Sequence, residues 1–393
     1  MGMVRRPASV TVATTLSVVA TGATNFLFPV GIQTVAGLSA LGLYTLVSIP
    51  AVAGLAIQRQ VLSQTVVRGA NPVSVPGLLL FQVMLIGTAT SASFAMALVN
   101  GADVWLLLVA ALTPVSLFQD FWRFTLFGQS RPVVVLGSDL IWLVGPVAGY
   151  VLVKTRGLGN SALIDFVALS VGTAACSLLV IAVCARLRTT DATDSVAGVG
   201  AVAAEAVSIF GLAQVSQLVI GLAVSPTTVG EFRSMQLLLT PVTLMASLLV
   251  LIVIPKMNVT NRRSVLNSSA ACCSLIGSAG VAIIVFWLVN PLGILSSLGF
   301  AEFNSAVWVL AVLVLAGVIS SFSAIYMVRI RVQQSSRRWL PIRVAGAILD
   351  PLISIPGVLI IGTAGLGLGS LSAGSVSLFS LVIPDLMKPK EKS

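Results

Sequence analysis

The feature that most constrains this chain is a run without charge: residues 7–58 contain no Asp, Glu, Lys or Arg. A helix crosses the hydrocarbon core of a bilayer with about 20 apolar residues, so this run is long enough for two crossings. A surface helix of a soluble domain has a polar face that usually carries charged residues, and this stretch has no charged residue for such a face. The run therefore predicts two consecutive membrane spans, with the turn between them at residues 29–33.

The composition extends this interpretation to the whole chain. Of the 393 residues, 57% are hydrophobic and only 9% are charged, whereas soluble domains carry about 25% charged residues. Uncharged windows of span length recur along the chain, and a Gly-rich centre divides residues 339–386 into two. The predicted fold class is an all-α polytopic membrane protein with about twelve transmembrane helices. The predicted spans are residues 8–29, 35–57, 76–99, 103–127, 132–153, 161–185, 198–224, 231–255, 267–289, 304–328, 340–362 and 366–386.

The basic residues predict the orientation in the membrane. An even number of spans places both termini on one side, and 19 of the 22 Lys and Arg residues then lie on that side. The other three are Lys154, Arg156 and Arg233. By the positive-inside rule we expect a multi-pass protein of a bacterial-type inner (cell) membrane with both termini in the cytoplasm. Topology and anionic lipid headgroups account for the net charge of +10, so no nucleic-acid partner is implied.

Missing residue types exclude several kinds of site. The chain has no histidine, which excludes a Ser-His-Asp triad and a His-ligated metal. Its four cysteines lie in apolar stretches and are interpreted as small buried hydrophobic residues. We expect no metal and no cofactor. The predicted connections are short, so function is expected to reside within the membrane region.

A weak internal repeat predicts two halves. Residues 39–44 resemble residues 227–232, and each segment is followed by a proline within the span, Pro50 and Pro241. The spacing of Arg131 and Asp139 is similar to that of Arg343 and Asp350. We expect two pseudo-symmetric six-helix lobes, residues 1–190 and 191–393, around a central cavity. Parallel repeats of this kind are a transporter design with the substrate site between the halves.

Several short segments are similar to those of known proteins: Gly42–Tyr44, Gly230–Gln236 with Pro241, Gln119–Arg123, Arg131–Pro132 and Asp139–Trp142. They resemble the multidrug/oligosaccharidyl-lipid/polysaccharide exporter superfamily, and within it the bacterial polysaccharide (O-antigen type) flippases. The resemblance implies two lobes that work by alternating access and that move a polyprenyl-diphosphate-linked glycan from the cytoplasmic to the outer leaflet. Flippases for lipid II in this superfamily usually have fourteen helices, so twelve argues against that branch.

Three arginines are candidate contacts for a diphosphate: Arg123, Arg233 and Arg59. A guanidinium suits phosphate because its planar fork donates two parallel hydrogen bonds. Each arginine also has a structural alternative. Arg123 can pair with Asp120, three residues earlier, or extend to water. Arg233 can anchor the outer surface, and Arg59 can act as a topology signal.

Three acidic residues are candidate coupling groups, because a carboxylate within a span is costly: Asp139, Asp350 and Glu231. Asp139 can instead hold two helices together. Asp350 precedes Pro351 and can instead cap a restarted half-helix. For Glu231 the alternative is an anchor at the outer surface.

Uncharged polar side chains within the spans are candidate sugar contacts, with interhelical hydrogen bonding as the alternative. In the resembled family, spans one, two, seven and eight line the cavity. The candidates are Asn25, Gln214, Gln217 and Gln236, together with Trp142 beside Asp139.

We therefore expect a flippase whose partners are the lipid-linked glycan, membrane lipids and glycan-assembly enzymes. The alternative is an ion-coupled exporter of drug-like cations on the same fold. An integral-membrane enzyme of glycan assembly is disfavoured, because the outer loops carry few acidic or basic residues.

Overall fold

The computed structural model describes residues 8–67, 76–129, 131–156, 159–184, 203–204, 206–242, 244, 261–289, 306–333 and 336–387. Within these ranges every regular element is a helix. This follows from the solvent, because a bilayer core offers no hydrogen-bond partners and an α-helix pairs its backbone groups internally. The predicted all-α membrane fold class is confirmed.

Twelve α-helices are distinguished in the described part of the chain, together with short π-helical turns at Val207–Gly211 and Leu378–Val382. The helices are α1 (Ala8–Val67), α2 (Pro76–Val99), α3 (Val104–Gly128), α4 (Pro132–Arg156), α5 (Asn160–Cys184), α6 (Leu212–Ala223), α7 (Pro226–Leu238), α8 (Arg262–Val289), α9 (Ala306–Gln333), α10 (Ser336–Ile361), α11 (Ala364–Ser377) and α12 (Ile383–Met387).

Nine helical stretches of the described residues are long and apolar enough to cross a membrane. The first of them, Val12–Leu62, contains most of the first predicted span and all of the second. The stretch Gln214–Ala223 is apolar but shorter. The protein is therefore a multi-pass membrane protein, and its helices follow the order of the predicted spans.

The break between the first two spans lies at Gly37, where φ is 81° and ψ is −173°. The prediction of a turn at residues 29–33 is wrong, since Pro29 lies inside the helix. Proline removes a single backbone donor, which a membrane helix tolerates. A positive φ is accessible mainly to glycine, so the chain bends there. We call residues 8–36 and 38–67 the first and second arms of α1.

The seventh and eighth predicted spans also have different limits. Helix α7 begins at Pro226 instead of residue 231, and the Ser225 hydroxyl caps it by accepting a hydrogen bond from the Thr227 amide at 3.1 Å. Proline at the first helical position and serine at the cap both favour a helix start. The regular helix ends at Leu238, two residues after Gln236. The predicted continuation over residues 245–255 lies outside the described residues.

The helices form two compact units, one up to Ala206 and one from Val207 onwards. We call them the N-terminal and C-terminal lobes. The boundary predicted at residues 190 and 191 lies outside the described residues.

One aromatic side chain holds the middle of the N-terminal lobe together. Phe166 of α5 is fully buried and stacks on Phe28 of α1 with a centroid separation of 5.5 Å. Gly31 and Gly149 lie against its ring, and a Cβ on Gly149 would come within 2.7 Å of the ring carbon Cδ2. The two glycines therefore let α1 and α4 approach the ring from separate sides.

In the C-terminal lobe α10 and α11 lie in backbone contact. A turn at Gly362, with φ of 65°, joins them, and a Cβ on Gly357 would lie 3.0 Å from the Cα of Gly365. Helix α10 is continuous through Pro351. The alternative of a half-helix restarting at Asp350 is therefore wrong, since Asp350 lies inside the helix.

Candidate functional site

The best-defined polar contact of the N-terminal lobe joins Arg59 to Asp120. Arg59, on the second arm of α1, donates from Nε to both carboxylate oxygens at 3.1 and 3.0 Å and from Nη2 to Oδ1 at 2.8 Å. The Arg59 side chain is 44% exposed, whereas that of Asp120 is 4% exposed. One edge of the guanidinium is thus held by a buried carboxylate while the rest of the group is accessible.

Arg123 continues this contact into the lobe. Its Nη1 lies 3.4 Å from Oδ1 of Asp120 and its Nη2 lies 3.2 Å from Oδ2 of Asp139, and its side chain is 9% exposed. Arg59, Asp120, Arg123 and Asp139 therefore form a row of alternating charge that sums to zero. An ionised group in a bilayer-spanning bundle is costly unless it is paired, and this row pairs all four.

Hydroxyl and amide groups extend the row to every helix of the lobe. Ser17, on the first arm of α1, donates to Asp139 at 2.5 Å. Gln58 donates to the Leu117 carbonyl at 3.0 Å and accepts a hydrogen bond from Gln82 of α2. The remaining contacts join Gln119 of α3 to Ser177 of α5 at 2.8 Å, and Ser177 to Ser138 of α4 at 2.7 Å.

We call these ten residues the N-lobe polar network. Their side chains are all buried except that of Arg59. Polar groups in a lipid-embedded bundle have to find partners on other helices, so they gather on the inward faces. The members are Ser17, Gln58, Arg59, Gln82, Gln119, Asp120, Arg123, Ser138, Asp139 and Ser177.

The local sequence explains part of this arrangement. Asp120 and Arg123 are three residues apart and therefore share a helix face. Arg131, whose spacing from Asp139 is part of the internal repeat, has a different partner. Arg131 precedes α4 and donates to the Cys184 carbonyl at the end of α5, at 2.6 Å. A cation at a helix C-terminus is favoured because the last carbonyls lack partners.

The C-terminal lobe holds a carboxylate in a comparable place. Ser216 of α6 donates to Oδ1 of Asp350 at 3.2 Å, and Ser354, one turn along α10, donates to the same atom at 2.9 Å. Ser17 and Asp139 lie on the first and fifth predicted spans, and Ser216 and Asp350 lie on the seventh and eleventh. The same serine-to-aspartate contact therefore occurs in both lobes.

The two aspartates differ in their counter-charge. Asp139 pairs with Arg123. Among the described residues, no Lys or Arg nitrogen lies within 4.0 Å of the Asp350 carboxylate. Asp350 is 4% exposed, so its carboxyl group is buried, with hydroxyl partners and with no neighbouring cation among the residues that the structure describes.

The remaining candidates on α7 are separate from both aspartates. Glu231 accepts a hydrogen bond from Thr363 at 2.6 Å, which ties α7 to the turn after α10. Arg233 donates from Nη1 to Oε1 of Gln236 at 3.2 Å. Both charged side chains are half-buried.

Of the candidate sugar contacts, Gln236 accepts the hydrogen bond from Arg233, and the other four lie outside the clusters described above. Asn25 is exposed, and Gln214, Gln217 and Trp142 are half-buried. Sequence reasoning did not single out Gln58, Gln82 or the three serines of the N-lobe polar network. The two glutamines could have been recognised from the sequence, because a side-chain amide inside an uncharged span needs a hydrogen-bond partner on another helix.

No group of three or more Cys, Asp or Glu side chains suited to a metal ion occurs in the part of the chain that the structure describes. The polar atoms of the N-lobe polar network are instead suited to binding an anion at Arg59. The Arg59 guanidinium has several N–H donors, and its side chain is partly exposed, so an anion can reach it.

No protein-family model matches the sequence, and no curated protein matches it. Solved structures do match. A MOP superfamily transporter from Pyrococcus furiosus, whose reversed pocket polarity suggests a different function, is 13% identical with a TM-score of 0.61, over 96% of this chain and 95% of that chain.

Two further structures are multidrug resistance MATE family transporters of the MOP superfamily. The inward-facing one is 12% identical with a TM-score of 0.59, over 93% of this chain and 94% of that chain. The outward-facing one is 13% identical with a TM-score of 0.58, over 96% of this chain and 94% of that chain. The chain therefore shares the helical fold of MOP superfamily transporters, while the polysaccharide flippase branch stays a prediction.

Proposed function

We propose that this protein is a flippase that moves a polyprenyl-diphosphate-linked glycan across a bacterial-type inner membrane by alternating access. One observation carries the proposal. Arg59 presents a guanidinium fork that is 44% exposed yet oriented by a buried carboxylate. Planar, bidentate donation is the geometry that recognises phosphate oxygens. The structural neighbours include inward- and outward-facing transporters, which supports alternating access on this fold.

In this proposal Arg59 makes the first contact with the diphosphate, and Arg123 orients it through Asp120. Direct contact of Arg123 or Arg233 with the headgroup stays a prediction, since Arg123 is buried between two carboxylates and Arg233 bonds Gln236. The sugar is assigned to the uncharged polar side chains. These are Asn25, Gln214, Gln217, Gln236 and Trp142.

Asp350 is the favoured coupling acid of the three candidates, because it is the buried one without a neighbouring cation in the described residues. Asp139 is neutralised by Arg123, and Glu231 bonds Thr363. A carboxyl group without a counter-charge favours binding a proton or a small cation. Both termini are placed in the cytoplasm, as the distribution of basic residues indicates.

The test is lipid flipping in proteoliposomes with a fluorescent, diphosphate-linked glycan lipid, followed by its accessibility to an external quencher. We expect Arg59→Gln to slow flipping about tenfold or more, since charge-assisted hydrogen bonds contribute about 1.5–3 kcal/mol. Arg59→Lys keeps the charge but loses the fork, so an intermediate rate is expected. The matched control is Arg263→Gln, an exposed arginine at the start of α8. A wild-type rate in Arg59→Gln contradicts the proposal.

The second candidate function is an ion-coupled exporter of drug-like cations. Asp350 supports it, because a buried carboxylate that has no cationic neighbour in the described ranges is also a site for a positively charged ligand. Deletion of the gene separates the two functions. Build-up of a lipid-linked oligosaccharide on the inner leaflet supports the flippase. Unchanged lipids with new sensitivity to cationic drugs support the exporter.

A further inference from the structure

Helix α4 continues through a proline, Pro146, that lies well inside it. Proline has no amide hydrogen, so it cannot donate to the carbonyl four residues earlier, which is that of Trp142. A carbonyl without a donor is costly in a membrane bundle, and a hydroxyl on a neighbouring helix can supply the missing hydrogen bond. The Thr173 hydroxyl of α5 donates to the Trp142 carbonyl at 3.5 Å. Thr173 therefore replaces the donor that the α4 backbone lacks.

The Thr173 hydroxyl also has partners on its own helix. Its oxygen lies 3.1 Å from the Leu169 carbonyl oxygen and 3.1 Å from the Ser170 carbonyl oxygen. A hydroxyl has one hydrogen to donate, so the bond to Trp142 competes with the bonds within α5. Rotation of this one hydroxyl thus switches the Trp142 carbonyl between a bonded and an unbonded state.

Glycines of α4 bring the two helices close enough for this contact. A Cβ on Gly145 would lie 2.9 Å from the Ser170 Cα and still closer to the Thr173 hydroxyl. Gly149, one turn further on, lies against the ring of Phe166. The part of α4 from Gly145 onwards is therefore held against α5 on both sides of the proline ring.

The N-terminal half of α4 carries the polar contacts of this helix. Ser138 bonds Ser177 of α5 at 2.7 Å, and Asp139 pairs with Arg123 of α3 at 3.2 Å. The start of α4 lies about 20 Å from Pro146 along the helix axis, and a sharp proline kink exceeds about 20°, so a kink there would move the start of α4 by about 7 Å. A straight α4 is thus a condition for keeping Asp139 beside Arg123.

We propose that Pro146 is a latent hinge in α4 and that the Thr173 hydroxyl locks it. While the hydroxyl donates to the Trp142 carbonyl, α4 is straight and Asp139 is held at Arg123. When the hydroxyl turns to its own helix, the carbonyl is free and α4 can bend at the proline. This lock belongs to the helix pair itself, so it goes beyond the proposed flippase and depends on no particular substrate.

The experiment measures distances between two spin labels on the full chain in proteoliposomes, with the four native cysteines replaced by alanine. One label replaces Val133 at the start of α4 and the other replaces Leu80 on α2, and both side chains are exposed. The parent protein should give a single distance, because the hinge is locked. Thr173→Val keeps the shape of the side chain but removes the donor. A second population, displaced by up to about 7 Å, should then appear.

A change at the proline should cancel the effect of Thr173→Val. Pro146→Ala restores an amide hydrogen to the Trp142 carbonyl, so the hydroxyl is no longer needed. The double variant Thr173→Val/Pro146→Ala should therefore return to a single distance. Thr173→Ser keeps the donor and should behave as the parent. A threonine needed only for packing would not be rescued by a change at residue 146.

Labels at Val183 of α5 and Leu80 are the matched control pair. Val183 is exposed, and α5 contains no proline, so this distance should stay the same in every variant. A shift of the control pair equal to that of the first pair would place the motion outside α4 and overturn the proposal.

Two further results would overturn the lock. One is a single, unchanged distance between Val133 and Leu80 in Thr173→Val, and the other is a second population that persists in the double variant. If Thr173→Val does not fold, the double variant decides: a folded protein with a single distance supports the lock, and a second failure to fold overturns it. No substrate is used, so none of these results bears on the flippase proposal.

Discussion

Gly369 of α11 faces the carboxyl group of Asp350: a Cβ on Gly369 would lie 2.8 Å from Oδ1 and 2.6 Å from the Asp350 carbonyl. The Ser354 hydroxyl lies still closer. The buried acid and its serine partner therefore fit between α10 and α11 because residue 369 has no side chain.

Gly369→Ala should destabilise the C-terminal lobe, because Asp350 and Ser354 have to shift to admit a methyl group. Overpacking of this kind costs about 1–3 kcal/mol. Thermal unfolding of the detergent-solubilised protein should show a lower midpoint than wild type. Gly317→Ala is the control, since a Cβ on this α9 glycine meets nothing within 4 Å. An unchanged midpoint in Gly369→Ala would contradict the close packing.

The contact of Gly31 and Gly149 with Phe166 makes a similar prediction for the N-terminal lobe. Gly149→Ala should lower the unfolding midpoint, because the added methyl group meets the ring. The double variant Gly149→Ala/Phe166→Leu should recover part of the loss, because the smaller side chain vacates that volume. Gly172→Ala on α5 has open space and should behave as wild type. Additive losses in the double variant would show that the two positions do not interact.

Arg123 should be the most sensitive position of the N-lobe polar network. Arg123→Gln leaves Asp139 and part of Asp120 without a counter-charge, and stranding a buried charge costs about 3–5 kcal/mol. We expect poor folded yield, measured as the monodisperse fraction on size exclusion. Adding Asp139→Asn should restore part of the yield, because it removes one of the stranded charges. Full yield for Arg123→Gln alone would indicate that the row is not needed for folding.

Asp350→Asn should separate coupling from stability. Asparagine retains an oxygen that can accept from Ser216 and Ser354, so the unfolding midpoint should stay close to wild type. Transport driven by an imposed proton or sodium gradient should be lost, while exchange of labelled for unlabelled substrate persists. Glu231→Gln is the comparison, since Glu231 lies at a separate contact with Thr363. Gradient-driven transport in Asp350→Asn would exclude this acid as the coupling group.

Several features could be predicted because they depend on local spacing and on the bilayer. Uncharged windows locate the spans, since each crossing has to be apolar over its length. The pairing of Asp120 with Arg123 follows from three-residue spacing on a helix. The prediction of a turn at residues 29–33 is wrong, because a membrane helix continues through Pro29 at the loss of a single backbone donor. The backbone bends at Gly37, where a positive φ is needed.

The candidate site depends on contacts between distant segments. Arg59 and Asp120 are 61 residues apart, and Ser17 and Asp139 are 122 apart. Arg131 precedes α4 and bonds the end of α5, a partner that its spacing from Asp139 does not indicate. Sequence spacing gives the face on which a residue lies, but it does not give the helix that packs against that face.

The sequence by itself determined that this chain crosses a membrane many times as helices. Its long uncharged runs suit the apolar core of a bilayer, and in that core a single segment can pair its backbone groups only as a helix. Only the tertiary structure decided which polar side chains became partners. It gave Asp139 an arginine and left Asp350 with hydroxyl groups, within the residues it describes. The physical reason is that a buried charge is stabilised by whichever neighbour packing brings within about 4 Å, and helix packing sets that neighbour.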